Sequence, residues 1–598
     1  MVYRVWSSIR SKQCLRYLLQ LVPHTLLGNM PKRSPKQMWY RIQEIVEFSH
    51  AIEAEAAGAV IDITKCFNAL PRIPLLEIAE HIGLPPCVLQ PWRTALSMFQ
   101  RRFQVRSATG AALPSNCGFP EGCGLSTVAM AVINLTCELW MFYKNPSIRV
   151  WSFVDNIETL TNTAEEACDS LELLSQFCEL LDLQVDHAKS YCWANTAEGR
   201  KVIRDRACST KLFARDLGGH MNYARLRTNR TITQKIGDLQ PFWHRAARSC
   251  APAAHKQRAI LTAAWPNLFY GISTVTIGAC HFDRLRTLVS KALGATQAGV
   301  NPMLFLSCLH KPKLDPEYYC IFQTVMSYRA CATADLASHT MTATVLGQAT
   351  SQGPCASLFH SLHKLSWSWE HDDLWRDHNG ALIDIVAAPK ATLEDHLQQA
   401  WHLRVMAILE DLRKTMTGAT LVDVDLTMEC YLALPNDHRG LMKCALNGAQ
   451  FTNDALAHAN LAPDATCRFC SSRDSPEHRH WHCPFFQDIR KQYPMLDTLD
   501  RTEAACLLNH GWLPESKHWV LHQANLDALP DTTQECLVTR EFNSLRYHDL
   551  FLDGSCIFPN DRRLRIASWG MVIWTGHSFI PLATGGVRGR RQTSLRGE

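Results

Sequence analysis

Apolar runs too short for helices alternate with stretches of helical period along the first third of the chain, and together they set the expected elements. Residues 57–64 read AGAVIDIT, a β-branched run that predicts a buried strand delivering Asp62 to its end. The LLEIAEHI pattern that follows is helical. Residues 148–158 read IRVWSFVDNIE, apolar on both sides of Asp155-Asn156, and that pair suits the turn of a tight β-hairpin. A helical stretch over 164–181 then leads to a return strand around 190–194. Further on, 233–264 is amphipathic, 299–463 is mostly helical in period with 393–416 its clearest run, and 547–555, ending in Asp-Gly-Ser, and 567–574 read as strands. Two long uncharged runs, 122–137 and 259–282, are read as buried core. The second carries Pro266, Gly271 and Gly278, and the first is interrupted by Ser126, Thr127 and Asn134 and is short for a membrane span. No membrane partner is expected.

Composition adds scale. The 598 residues, 46% apolar and 20% charged, can fill several cores, about four domains at about 150 residues each, which excludes a disordered or fibrous chain. The 24 Cys are scattered and no apolar signal-like run follows Met1, so reduced thiols and an intracellular, nuclear or cytoplasmic chain are expected.

Charge changes the picture more. The formal total is only +5, yet residues 1–43 hold eight Lys+Arg and no acid, and residues 200–291 hold 17 Lys+Arg against four Asp. The remainder is therefore net acidic, and two cationic surfaces imply an anionic partner, nucleic acid first. An acid-free, Arg-bearing start also has the composition of a mitochondrial presequence, a reading set aside here.

Against that background, Asp62 and Asp155, each presented from a strand end, can hold divalent cations about 3.5–4 Å apart for in-line phosphoryl transfer. Residue by residue the bland alternatives are a helix cap at Asp62 and a plain turn at Asp155. Near the other end, Cys467, Cys470, His478 and Cys483 form a Cys-x2-Cys-x7-His-x4-Cys series, with His480 and His482 as spare donors. Four such ligands suit a structural tetrahedral Zn2+ site with no open position.

The order of these pieces resembles the reverse transcriptase of LINE-type (non-LTR) retrotransposons. Asp62 with Phe67 resembles the first carboxylate motif and its steric gate. Gly118-Phe119-Pro120-Glu121-Gly122 with Ser126 resembles the loop and helix that position template and incoming nucleotide. Phe153-Val154-Asp155-Asn156 resembles the aromatic-x-Asp-Asp hairpin, Lys189 stands where the family places a Lys near the triphosphate, and Asp216-Leu217-Gly218-Gly219 resembles the primer-grip turn. Asn156 replaces the second hairpin Asp, and Glu121 the usual Gln. The stretch 27–34 is loosely similar to the end of the fingers, and the basic segment after Gly219 would be the thumb.

The resemblance implies an α+β right-hand polymerase. Partial fingers and palm would span 1–195, primer grip and thumb 196–298, a helical connector 299–460, and a zinc knuckle 461–490. The start of a truncated type-1 ribonuclease H-like α/β domain would span 540–598, with Asp553 and Glu598 as its catalytic carboxylates and a second strand at 567–574. It further implies RNA-directed DNA synthesis with two Mg2+ (or Mn2+) held by Asp62, Asp155 and the carbonyl of Ile63. Phe67, Gly118, Pro120, Gly122, Ser126, Asn156, Lys189 and Gly218 would meet RNA template, DNA primer or deoxynucleoside triphosphate. The half ribonuclease H domain is expected to be poorly folded and unable to cleave RNA. Two alternatives are a catalytically impaired nucleic-acid-binding remnant of such an element and an organellar intron-splicing factor of related palm fold.

Overall fold

A computed structural model describes residues 2–224, 230–295, 300–333, 345, 353–450, 452–492, 505–515, 549–557, 566–574 and 579–586, apart from Arg101, Phe103, Pro114, Asn116, Glu121 and Thr276. The chain forms two compact units: Met1–Thr296 with His310–Trp401, and Gln297–Leu309 with His402–Glu598. The stretch expected as one connector thus contributes to both.

The first unit opens with helices α1 (Val2–Leu18) and α2 (Pro35–Ala51), then strand β1 (Ala57–Asp62) and the single turn α3 (Cys66–Ala69). Helices α4 (Arg72–His81) and α5 (Pro86–Met98), a small hairpin of β2 (Gln104–Val105) and β3 (Ala108–Thr109), and the long α6 (Gly124–Lys144) follow. Next come β4 (Arg149–Phe153), β5 (Asn156–Leu160), α7 (Ala164–Leu180), β6 (Tyr191–Ala194) and α8 (Ala197–Asp205), and then the hairpin of β7 (Phe213–Asp216) and β8 (Gly219–Asn222).

Four of these strands make one antiparallel sheet in the order β4-β5-β1-β6. Five of the six β1 residues are buried, which is why the run AGAVID shows no polar alternation until Asp62. Gly58 sits where strand and side chain close in: a Cβ there would lie 2.0 Å from the Thr159 carbonyl oxygen and 2.8 Å from the Trp193 ring. Helix α7 begins at a Thr163 cap whose side chain accepts from the Glu166 N–H, with Glu165 and Glu166 complementing the helix N-terminus.

A large core joins Ile61 and Ile157 of the sheet to Trp92, Val128, Ile133 and Phe177. Helix α6 is long and apolar enough to cross a membrane by length and composition, reaching Lys144 rather than ending near Cys137; 67% of its most apolar window is buried in this protein core. The other uncharged run is broken, as its Pro266 and Gly271 imply: a π-helical turn Ile260–Ala264, a helical turn Trp265–Leu268 and a 3-10 turn Ile272–Thr274. The amphipathic 233–264 region likewise divides into Arg230–Asp238, Gln240–Arg248 and Ala253–Ala259, with Pro241 and Pro252 at helix starts.

Two buried ionic devices hold the 310–401 segment onto this body. Arg286 donates to Asp315 at 2.7 and 3.2 Å and to Glu317 at 2.7 Å, while Lys364 reaches the other Glu317 oxygen at 2.9 Å. Glu47 of α2 accepts the N–H groups of Cys355 and Ala356 at 2.8 and 2.9 Å, capping helix Pro354–His363 with a negative charge. The connector, expected to be mostly helical, also contains a three-stranded sheet, Ser368–His371, Leu374–Arg376 and Leu382–Asp384.

In the second unit, helices Val424–Ala433, Asn436–Asn447 and Asn453–His458 precede the Cys/His cluster. Near the C-terminus Asp549–Ile557, Ile566–Trp574 and Phe579–Gly586 form an antiparallel three-stranded meander. The first strand runs past the expected Asp553-Gly554-Ser555 end to Ile557, with Asp553 paired to Gly570. Glu598 lies outside the described residues.

Candidate functional site

Antiparallel pairing brings the two candidate carboxylates to one end of the sheet. Asp62 is the last residue of β1 and faces Asn156 across the ladder, and the Ile63 N–H donates to the Asp155 carbonyl at 3.3 Å. The hairpin turn is Val154-Asp155, one residue earlier than the sequence suggested, because Phe153 and Asn156 close the ladder. Val154 takes φ 59°, a left-handed conformation that is strained for a β-branched residue by about 1–3 kcal/mol. Its neighbours enforce it. The Asn134 side-chain amide donates to the Val154 carbonyl at 3.0 Å, and the N–H groups of Leu27 and Gly28 donate to Ser152 at 2.8 and 3.3 Å.

Gly28 therefore lies against the turn that carries Asp155, with a Cβ there only 2.3 Å from the Val154 nitrogen. Gly28→Ala is expected to displace the hairpin, cost about 1–3 kcal/mol in a denaturant titration, and impair any chemistry at Asp155. An unchanged denaturation midpoint would contradict this packing.

Lys189 completes the acidic end. Its ammonium donates to Asp62 Oδ1 at 3.1 Å and lies 3.3 Å from Asp186, and these two partners raise its pKa. Burial pushes the Asp155 carboxyl above its usual range; the Asp62 charge adds to the shift and Lys189 opposes it. The Cys66 thiol is pushed up to about 12 by burial and by the charges of Asp155 and Asp62, which marks how closely these groups share one field. Oxygen donors in such a field suit a hard cation, and Asp62, Ile63 and Asp155 are the residues that could hold Mg2+.

Beside this end, the Phe67 turn and the glycine loop meet. Phe119 and Gly118 donate their N–H groups to the carbonyls of Phe67 and Leu70 at 2.8 and 2.7 Å. The loop turns into α6 through Pro120, whose carbonyl accepts from Ser126 Oγ at 3.1 Å, and Gly122 takes φ 76° with open space around it. Arg72, which the sequence did not single out for a role, is the buried strut: its guanidinium donates to the carbonyls of Gly118, Leu96 and Ser115 at 2.7, 3.1 and 2.6 Å. An Arg opening a helix whose next four residues, Ile73 to Leu76, are apolar was the available signal.

Asn156 stands opposite Asp62 in the ladder, but its amide is engaged away from the two carboxylates. It is the first residue of β5, and its side chain is buried and donates to Asp216 at the end of β7. Glu158, two residues on and on the same face, is wholly buried among Trp193, Tyr223 and Asp216. Burial pushes the Asp216 carboxyl up to about 6 and Glu158 well above the usual carboxylate range. Sequence reading missed this pair, although a Glu inside the apolar strand of IRVWSFVDNIE was its signal.

The Asp216-Leu217-Gly218-Gly219 turn is a two-residue hairpin with Leu217 and Gly218 both at positive φ. It is wedged in place: a Cβ on Gly219 would meet the Trp39 ring at 2.7 Å, and one on Gly218 the Tyr270 ring at 3.3 Å.

The second unit brings Cys467, Cys470, His478 and Cys483 together, with their donor atoms all within 4.8 Å of one another. Cys467 and Cys483 sulfurs are 4.0 Å apart, and Cys470 Sγ is 3.1 Å from His478 Nε2. A tight loop, with Ser471 at φ 60° and the Cys467 N–H bonded to Ser472, aims the first two thiols. Four N/S donors converging so closely fit a tetrahedral Zn2+. The spare donors lie elsewhere, His482 beside Glu477 at 3.5 Å and His480 exposed outside the cluster.

No family model and no curated protein matches the chain. Among solved structures it is similar to telomerase from Candida tropicalis in complex with the TWJ fragment of telomeric RNA. The identity is 10%, covering 50% of this chain and 56% of that one, with a TM-score of 0.29. It is likewise similar to telomerase from Candida albicans with the same kind of RNA fragment, at 11% identity over 54% of each chain and a TM-score of 0.26. The chain spans about half the length of these two structures, and scores that low mark only a loose likeness of chain path.

Proposed function

We propose that the chain is an RNA-directed DNA polymerase of the reverse transcriptase type, of LINE-type (non-LTR) character, whose catalytic carboxylates are Asp62 and Asp155. The observation that carries the reading is their delivery to one end of adjoining strands, with Lys189 bonded to Asp62 and the Phe67 turn bonded to the Gly118 loop. Bound Mg2+ would neutralise the triphosphate and activate the primer hydroxyl. The protein's own part is to place things. Asp62, Asp155 and the Ile63 carbonyl would hold the cation, Lys189 would exchange its carboxylate partner for a phosphate oxygen, and Phe67 would crowd a ribose 2′-hydroxyl. The zinc cluster would brace the second unit, and no ribonuclease activity is assigned to Asp553.

The basic helices after Gly219 fit a template–primer backbone. Arg245 and Arg248, exposed in the last turn of helix Gln240–Arg248, are candidates for phosphate contact. Replacing both by Gln is expected to weaken binding of an RNA–DNA duplex alike for every sequence and to lower the slope of log affinity against log salt by about 2. An unchanged slope would remove the thumb assignment.

Primer extension on an RNA template by the full chain with Mg2+ tests the whole reading. Incorporation that requires Mg2+ and template supports it; tight, salt-sensitive binding without incorporation leaves the impaired remnant. One observation favours that second reading: Asn156 is turned onto Asp216, so the hairpin supplies a single carboxylate to the site.

A further inference from the structure

Three cysteines far apart in sequence meet behind the sheet. Cys168 on α7, Cys192 on β6 and Cys208 just after α8 bring their sulfurs within 4.8 Å of one another. No short motif links them, and none belongs to the site above. Cys168 and Cys192 are buried, Cys208 is half-buried, and all three are free thiols.

The setting is built rather than accidental. Ala57, Ala59, Ala164, Ala167 and Ala194 line the same cluster, and such small side chains let helix and strand approach with sulfur between them. Cys208 is held in register by the backbone. Ala207 turns the chain at φ 59°, the Cys208 N–H returns to the Ile203 carbonyl at 3.1 Å, and Cys192 exchanges hydrogen bonds with Ser209 and Lys211 at 2.8 and 3.2 Å. On the rim Arg206 donates to Asp169 at 2.6 Å, and its charge acts on both Cys168 and Cys208.

A d10 cation such as Zn2+ binds thiolate sulfur at about 2.3 Å and needs its donors on converging vectors. Sulfurs already this close need only a small contraction. Three thiolates around a divalent ion leave a charge of −1, which Arg206 faces.

We propose that Cys168, Cys192 and Cys208 form a second thiophilic metal site, a three-thiolate site for Zn2+ or a similar soft cation with its fourth position open to water through the Cys208 side. Binding releases the three thiol protons to solvent and changes no oxidation state. The site would clamp α7 and the loop after α8 onto the sheet edge, and it does not depend on the polymerase reading.

The full chain, prepared with reductant and titrated with Zn2+ and Cd2+, gives the test. Two equivalents of metal are expected in the native chain, one in Cys208→Ser, one in Cys470→Ser and none in the double variant, with the Cd–thiolate absorbance of Cys208→Ser about half the native value. Should Cys208→Ser fail to fold, alkylation of Cys208 in the native chain, read by peptide mass, is expected to be slowed at least tenfold by Zn2+. A folded Cys208→Ser that keeps the native stoichiometry, alkylation of Cys208 indifferent to Zn2+, or a disulfide within the trio under those conditions would each overturn the site.

Discussion

Asp155→Ala is expected to lower Mg2+-dependent primer extension by at least about 10²–10³-fold, the scale of losing one preorganised electrostatic contact to a transition state, while leaving duplex affinity and its salt slope unchanged. On the proposed reading binding rests on the basic helices after Gly219 rather than on Asp155, so the two measurements separate. A second signature distinguishes a catalytic carboxylate from a structural one. Burial and the Asp62 charge raise the Asp155 pKa, which means the fold disfavours its ionised form. By linkage the variant loses that penalty, and its thermal midpoint near neutral pH is expected to match or exceed the native one. The strained Val154 beside it, at φ 59°, points the same way: local stability has been given up where a side chain must be aimed. Asp62→Ala should abolish extension similarly, but it also frees Lys189 from its 3.1 Å partner, so Lys189→Gln serves as its control. Lower duplex affinity together with a lower midpoint in Asp155→Ala would mean that the residue serves the fold.

How much of this was legible depended on whether the signal was local. The strands at 57–62, 149–153, 156–160 and 191–194 follow from apolar runs of the right length, and the knuckle spacing at 467–483 anticipated the cluster that forms. The turn at Val154-Asp155 was misplaced because turn chemistry favours Asp-Asn, whereas the register is set by long-range contacts with Asn134 and Gly28 that override a β-branched residue's preference. Asn156 was expected to meet substrate because it stands where the hairpin's second acid would be. The register does put it opposite Asp62 on the same face, but its amide is drawn to Asp216 at the end of β7, on the buried side that Glu158 also occupies. Arg72 and the three-cysteine cluster depend on partners dozens of residues away, with no periodicity to announce them. The 368–384 sheet was hidden in a segment whose overall period is helical, because strands of three or four residues are too short to leave an alternation signal.

The buried side of Asn156 gives the sharpest reversal of what motif reasoning suggests. Restoring the second acid of the hairpin, Asn156→Asp, would on motif grounds raise activity; its surroundings require the opposite. The Asn156 amide is the donor that Asp216 accepts, and Glu158 lies in the same pocket with its carboxyl wholly buried. A third carboxyl must arrive protonated to replace that donor, or else stand as an unpaired buried charge. The expected cost at pH 8 is about 3–5 kcal/mol, the usual consequence of uncompensating a buried charge, with no gain in extension. The sign of the pH dependence follows from the raised pKa values. A carboxyl whose folded pKa lies above its unfolded one contributes stability at low pH and loses it as pH rises through the folded value, for Asp216 from about 4 to about 6. Asn156→Asp is therefore expected to be nearest to native stability at pH 5 and furthest from it at pH 8 in urea denaturation. The exchange Asn156→Asp with Asp216→Asn restores one donor facing one acceptor and should recover most of the loss. If Asn156→Asp instead keeps its midpoint at pH 8 and extends primers faster, residue 156 belongs to the metal site, and the buried triad is not what holds the catalytic hairpin to the β7–β8 turn.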